Sequence, residues 1–136
     1  MKVLLSIKPE FVKEIMNGNK RFEYRKRIFK KEVDSVIIYC TKPIGKIVGE
    51  FTIAEIINDS PYELWNQTCS YSGISKDLFL DYFSGHKDGF AIGIKEFFQY
   101  DEPINPKDID DSFIPPQSYK YIESESEIFT LSNKAI

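Results

Sequence analysis

Two β-rich runs joined by a short turn constrain this chain more than any other feature. Val33 to Cys40 is dense in Val, Ile and Tyr, and Lys46 to Ile57 follows after Thr41–Lys42–Pro43–Ile44–Gly45. Branched and aromatic residues suit a pleated, half-buried surface, and Pro with Gly turns the chain between the runs. Gly49 marks a bulge or a close backbone approach. Gly89 to Tyr100 reads as a third long strand, with Ala91, Ile92, Ile94 and Phe97–Phe98. Val3 to Ile7 reads as a short first one. Lys20 to Arg27 alternates, with Phe22 and Tyr24 on one side and Arg21, Glu23 and Arg25 on the other, as a half-buried strand with a charged face does.

The helical signals are short. Pro9 opens a helix in which Phe11, Val12, Ile15 and Met16 recur at helical spacing, and Gly18 stops it. Ser60 caps a second helix through Trp65. Ser75 caps a third, whose Leu78, Phe79, Tyr82 and Phe83 read as core. Residues 101–112 read as loop, Ile114 to Tyr121 as a docked extended segment, and the polar stretch from Glu123 as a fraying tail. One domain over residues 1–122 with a tail over 123–136 fits 136 residues, and no repeat or linker divides them. The expected fold is α+β: a small, mixed, mostly antiparallel β-barrel, closed or nearly so, with short helices on its rim.

Several classes fall away. Cys40 and Cys69 are the only cysteines, too few for a disulfide scaffold or a Cys-rich zinc site. His86 is the only histidine and reads as a loop residue beside a helix end, so neither a transition-metal site nor a His-based catalytic site is expected. Gly45–Lys46–Ile47–Val48–Gly49 lacks the Gly-Lys-Ser/Thr ending of a phosphate loop. No secretory pattern and no apolar run of ~18 residues is present, so the expected location is cytoplasmic, without a membrane partner. No metal and no cofactor is implied.

Charge is distributed unevenly. The net of −3 combines +6 over residues 1–50 with −9 over the remainder. Lys20 to Lys31 holds seven basic residues and one acid, Glu23. Such a cluster neutralises phosphates, with Phe22 and Tyr24 available to stack bases. Equally, Lys and Arg protect an exposed edge strand from pairing with other sheets. Glu23 is expected to be ionised, to orient Arg21 or Arg25, and to be able to accept from an exocyclic amine of a base.

Ser6–Ile7–Lys8–Pro9, a helix, and then Gly18–x–Lys20–x–x–Glu23–x–Arg25 together resemble the ASCH-domain family, a branch of the PUA-like β-barrels. Val36 to Thr41 and Ile47 to Phe51 resemble its next strands, and Pro115–Pro116–Gln117–Ser118–Tyr119 resembles the end of a longer bacterial subgroup. The resemblance implies a cleft beside the first helix that holds RNA or a nucleotide, with Lys8, Lys20, Glu23 and Arg25 on the matching positions.

The leading expectation is a binding module for single-stranded RNA or a modified nucleotide. Its phosphates would meet Lys20, Arg21, Arg25, Lys26 and Arg27. Its base would meet Ser6, Lys8, Glu23 and an aromatic such as Tyr39 or Tyr119, with Gln117 closing over it. The alternative is an amidohydrolase acting on N4-acetylcytidine, a branch of the same family, with Lys20 and Glu23 as catalytic groups. There Glu23 stands where that branch has Thr, and a carboxylate does not replace a hydroxyl nucleophile. The branch's separate Glu falls on Glu50, Glu55 or Glu63 by region only. RNA cleavage occurs among relatives too. A protein-interaction role through Asp108 to Asp111 is the remaining reading. Trp65, Tyr62 and Tyr71 are expected to pack short helices.

Overall fold

Backbone pairing in the computed structural model, which describes residues 1–136, joins six strands into one sheet. They are β1 (Lys2–Ile7), β2 (Phe22–Arg25), β3 (Ser35–Cys40), β4 (Lys46–Asp59), β5 (Gly89–Ile104) and β6 (Lys120–Ile122). The spatial order is β2-β5-β4-β3-β1-β6. Only β1 and β3 run parallel. Four α-helices accompany the sheet: α1 (Pro9–Met16), α2 (Pro61–Thr68), α3 (Lys76–Tyr82) and α4 (Glu127–Ala135). None is long and apolar enough to cross a membrane.

The β3–β4 pair forms as its sequence requires, with a bulge where Tyr39 pairs Ile47. A Cβ on Gly49 would stand 2.6 Å from the Phe98 carbonyl oxygen, so the sheet needs glycine there. Further register shifts interrupt the long β4–β5 pair near Thr52, Ile53 and Ile56. Such shifts bend and twist a hairpin, which curls the sheet.

The curl has a measurable consequence. Four strand spacings separate β2 from β1, about 19 Å if the sheet were flat. Yet the Arg25 guanidinium on β2 donates through Nη2 to the Ser6 carbonyl on β1 at 2.8 Å. The two ends therefore meet through a side chain, not a backbone ladder. The result is the nearly closed barrel expected from the sequence, left open along one seam.

Alternation along the strands fills both faces. Inside, Val3, Leu5 and Ile7 of β1 pack with Val36, Ile38 and Cys40 of β3 and with Val12 and Ile15 of α1. Outside, Leu4, Ile37, Tyr39 and Ile47 pack with Tyr100, Phe113 and Ile122. A smaller cluster of Tyr24, Leu64, Phe79, Phe83 and Ala91 seats α2 and α3 against β2 and β5.

The tail departs from expectation. Ser126 accepts from the Phe129 N–H and starts α4, whose Ile128 and Phe129 pack on the outer cluster. Lys2, also buried, donates to Ser132 Oγ at 2.9 Å and Asn133 Oδ1 at 2.8 Å, and pairs with Glu50 at 3.0 Å. Glu50 in turn accepts from Ser35 at 3.0 Å and Tyr100 at 2.6 Å. A narrow apolar stripe and two polar side chains dock this helix, which is why its mostly polar composition suggests a free tail.

Candidate functional site

The barrel seam opens into a cleft of about 300 Å³. Its walls come from the end of β1 and the start of α1, from β2, and from α3 with the loop before it. Pro9 begins α1 directly after β1, so Ser6, Lys8 and Phe11 reach the cleft from one short stretch. Strand β2 supplies Glu23, Tyr24 and Arg25, with Lys20 just before it.

Lys20 and Glu23 are 2% and 6% exposed, and of the charged face expected on this strand Glu23 and Arg25 line the cleft while Arg21 is exposed outside it. Lys20 Nζ donates to the Ser72 carbonyl at 2.8 Å and stands 3.9 Å from Glu23 Oε1. It also lies over the rings of Tyr24, at 4.7 Å, and Phe11, at 5.4 Å. Burial lowers its pKa below the ordinary lysine value; Glu23 opposes that shift and Arg25 adds to it. Arg25 holds Glu23 Oε2 through Nη2 at 2.7 Å and Nε at 3.2 Å. Oε2 is thus engaged, while Oε1 has only the longer approach of Lys20. Below them, burial pushes the Tyr24 hydroxyl up to about 12, and it shares a 2.7 Å hydrogen bond with Thr68.

The loop from Cys69 to Ser75 fixes Lys20. Lys20 bridges to Ser72, and the Arg21 N–H donates to the Tyr71 carbonyl at 2.8 Å. Gly73 has φ +66°, and a Cβ there would lie 2.3 Å from Lys20 Cβ. Gly73→Ala is expected to cost about 1–3 kcal/mol, from the backbone conformation and the clash. A urea melt checks this, and stability unchanged within error would show that the loop is not seated as described.

The other expected site residues divide. Ser6 lines the cleft and donates to the Pro116 carbonyl at 2.8 Å, and Lys8 is exposed at its edge. Arg21 is exposed and stacks on Tyr71 at 4.3 Å, outside the cleft lining. Lys26 lies over Tyr82 at 4.6 Å, and Arg27 is exposed. Tyr39 is not in the cleft: it packs on Phe113 in the outer cluster, because β3 residues of its parity face outward. Gln117 is exposed and Tyr119 packs on Phe29 and Tyr121, and neither lines the cleft. Their segment docks through its backbone instead, the Ser118 carbonyl accepting from Arg25 Nη1 at 3.4 Å. Glu50 belongs to the Lys2 network on the opposite face, while Glu55 and Glu63 are exposed and outside the cleft.

Sequence reasoning missed the α3 wall. Leu78 and Tyr82 line the cleft and are 54% and 37% exposed, whereas Phe79 and Phe83 are 0% and 2% exposed. A stripe of four apolar residues is wider than the face that a helix this short buries. Asp81 lines the same wall.

Known proteins share this fold. The sequence pattern of the ASCH domain matches residues 5–124. An "ASCH domain-containing ribonuclease" of Zymomonas mobilis is 30% identical over 129 residues, covering 90% of this chain and 84% of that protein. The crystal structure of an ASCH protein from Zymomonas mobilis superposes with a TM-score of 0.86 at 26% identity, covering 99% of this chain and 94% of that one. The ATP synthase subunit alpha of Ureaplasma parvum is 30% identical over 102 residues, which cover 74% of this chain but only 13% of that protein.

Proposed function

Because the chain belongs to the ASCH domain family, we propose that it acts on single-stranded RNA through the seam cleft, taking one nucleotide into it. The observation that carries this reading is the Lys20–Glu23–Arg25 set at the cleft wall, Lys20 and Glu23 buried and Arg25 half-buried. Buried charges are expensive unless paired, and a fold seldom keeps three together without a use for them. The cleft volume lies at the small end for ligand sites, which suits one nucleotide rather than a length of strand. Glu23 Oε1 accepts from a base N–H, and Lys20 donates beside it. Lys8 and Arg27, exposed nearby in sequence to either end of this set, meet phosphates.

Affinity for a single-stranded RNA is therefore expected to fall steeply with salt, about 0.7 in log–log slope for each phosphate contact. Lys8→Gln and Arg27→Gln are each expected to reduce that slope by about one contact's share. Fluorescence anisotropy across a salt series measures it. Binding that ignores salt, or no binding at low salt, would sink this reading.

A second reading, RNA cleavage, is favoured by the lowered pKa of Lys20 and by the name of the Zymomonas mobilis relative. Lys20, once its ammonium has given up a proton to solvent, takes the 2′-hydroxyl proton. The 2′-oxygen then attacks the adjacent phosphorus, and the 5′-oxygen leaves with a proton from solvent. The products are a 2′,3′-cyclic phosphate and a free 5′-hydroxyl. Mass analysis of RNA fragments distinguishes cleavage from binding alone. Intact RNA after long incubation removes this second reading and leaves the first.

A further inference from the structure

We propose that Tyr82 and Lys26 form a second nucleotide subsite at the mouth of the cleft: the neighbouring base stacks on Tyr82, and its phosphate meets Lys26. The inference rests on the proposed RNA-binding role of the cleft and adds where the strand runs after leaving it.

Three observations meet at this point. Tyr82 lines the cleft and is 37% exposed, although it ends a helix whose other aromatics are buried. Its ring is braced edge-on by Phe83, with centroids 4.8 Å apart and planes at 72°, so a flat surface is held at a fixed angle. Leu78, 54% exposed one turn earlier, extends this apolar surface along the same wall. Lys26 Nζ lies 4.6 Å from the Tyr82 ring centroid. Single-stranded nucleic acids use these two groups together, base on ring and phosphate on amine, and a base that takes the ring face displaces Lys26 toward the phosphate.

Charge sets the direction. Asp81 carries a carboxylate on the α3 wall of the cleft, which repels a phosphate there. Lys26 and Arg27 follow Arg25 in the chain and are exposed outside the cleft lining, with Lys26 reaching over Tyr82. The base therefore turns toward Tyr82 and Leu78 and the phosphate toward Lys26. The other exposed cation–aromatic pairs do not continue the cleft. Tyr71 with Arg21 borders a separate shallow depression. The Tyr121 hydroxyl accepts from the Lys30 and Lys31 N–H groups and anchors the basic loop instead.

Stacking reads no base edge, so this subsite is expected to raise affinity without strong sequence preference. The test compares the four ribonucleoside 3′-monophosphates with the sixteen ribodinucleotides by titration. Extension by one nucleotide is expected to tighten binding about tenfold. Tyr82→Ala should cost the dinucleotides about tenfold more affinity than the mononucleotides. Tyr82→Phe should keep the gain, which separates stacking from any role of the hydroxyl. Lys26→Gln should lower dinucleotide affinity and flatten its salt dependence. Mononucleotide binding with no gain on extension would overturn the subsite alone. Equal loss on both ligands in Tyr82→Ala would do the same, by making Tyr82 part of the first site. If no mononucleotide and no dinucleotide binds, the cleft reading itself fails, and the subsite with it.

Discussion

Lys20→Met is expected to cost the domain its action on RNA while leaving it at least as stable as the wild type. Lys20 is almost wholly buried, and burial lowers its pKa from the ordinary lysine value. Its charged form is therefore less stable in the folded chain than in the unfolded one. Methionine fills the same space without that cost, and Glu23 keeps its two bonds from Arg25. Removing one member of a buried charge set is costly when it leaves a charge unpaired, and here Glu23 stays paired with Arg25. RNA affinity should fall at least tenfold, the size of a lost charged hydrogen bond. If the domain cleaves RNA with Lys20 as base, the rate should fall about 10²–10⁴-fold.

The pH dependence follows from the direction of that shift. Between the lowered folded pKa of Lys20 and its ordinary value of 10.5, the unfolded chain binds more protons than the folded one. Stability from this group therefore rises with pH across that window. The wild type should trail Lys20→Met by a constant amount below the folded pKa of Lys20 and catch up as pH rises from there to 10.5. Any cleavage rate should rise with pH and level off below that value. Urea unfolding of both proteins at several pH values measures the first effect. A gap that widens with pH would contradict it.

Glu50→Ala is expected to have the largest effect on stability, about 3–5 kcal/mol, because it strands a buried cation. Lys2 would keep Ser132 and Asn133 but lose its only carboxylate. Tyr100 would lose its 2.6 Å acceptor, and Ser35 its partner. Burial and the adjacent Glu50 hold the Tyr100 hydroxyl well above its ordinary pKa, so at neutral pH it is a donor in need of that oxygen. The network also docks α4, so the variant should loosen the last helix first. RNA affinity of the molecules that remain folded should not change, because Glu50 sits on the face away from the cleft. Denaturant unfolding with hydrogen exchange over residues 127–135 measures both parts. A loss under about 1 kcal/mol would mean that the pair is far better solvated than its burial indicates.

Much of this was legible in the sequence, and the gaps have physical causes. Pro9, Ser60 and Ser75 mark helix starts, and all three helices begin there. The β-rich run of β3 and the close approach at Gly49 are visible, and so is the Lys20–Glu23–Arg25 spacing that lines the cleft. Period-two patterning does not say which face of a strand turns inward when both are apolar. Val36 and Ile37 look alike in sequence, so the pattern does not tell that Tyr39 faces away from the cleft. Edge strands usually show their charges to water, but here the curled sheet brings β1 within reach of Arg25 and buries Glu23 between them. The Lys2–Glu50–Ser132 network joins residues 48 and 130 positions apart, and no local signal links them. α4 carries too few apolar residues to announce itself, because polar bonds do part of the docking.

Chemical-shift mapping of the backbone amides with a short mixed single-stranded RNA tests the central claim most directly. Shifts confined to residues 6–11, 20–27 and 74–82 are the expected result, with the Phe113 and α4 face silent. Shifts centred on Tyr39, Phe113 or α4, or no shifts at low salt, would contradict a role for the seam cleft in acting on RNA.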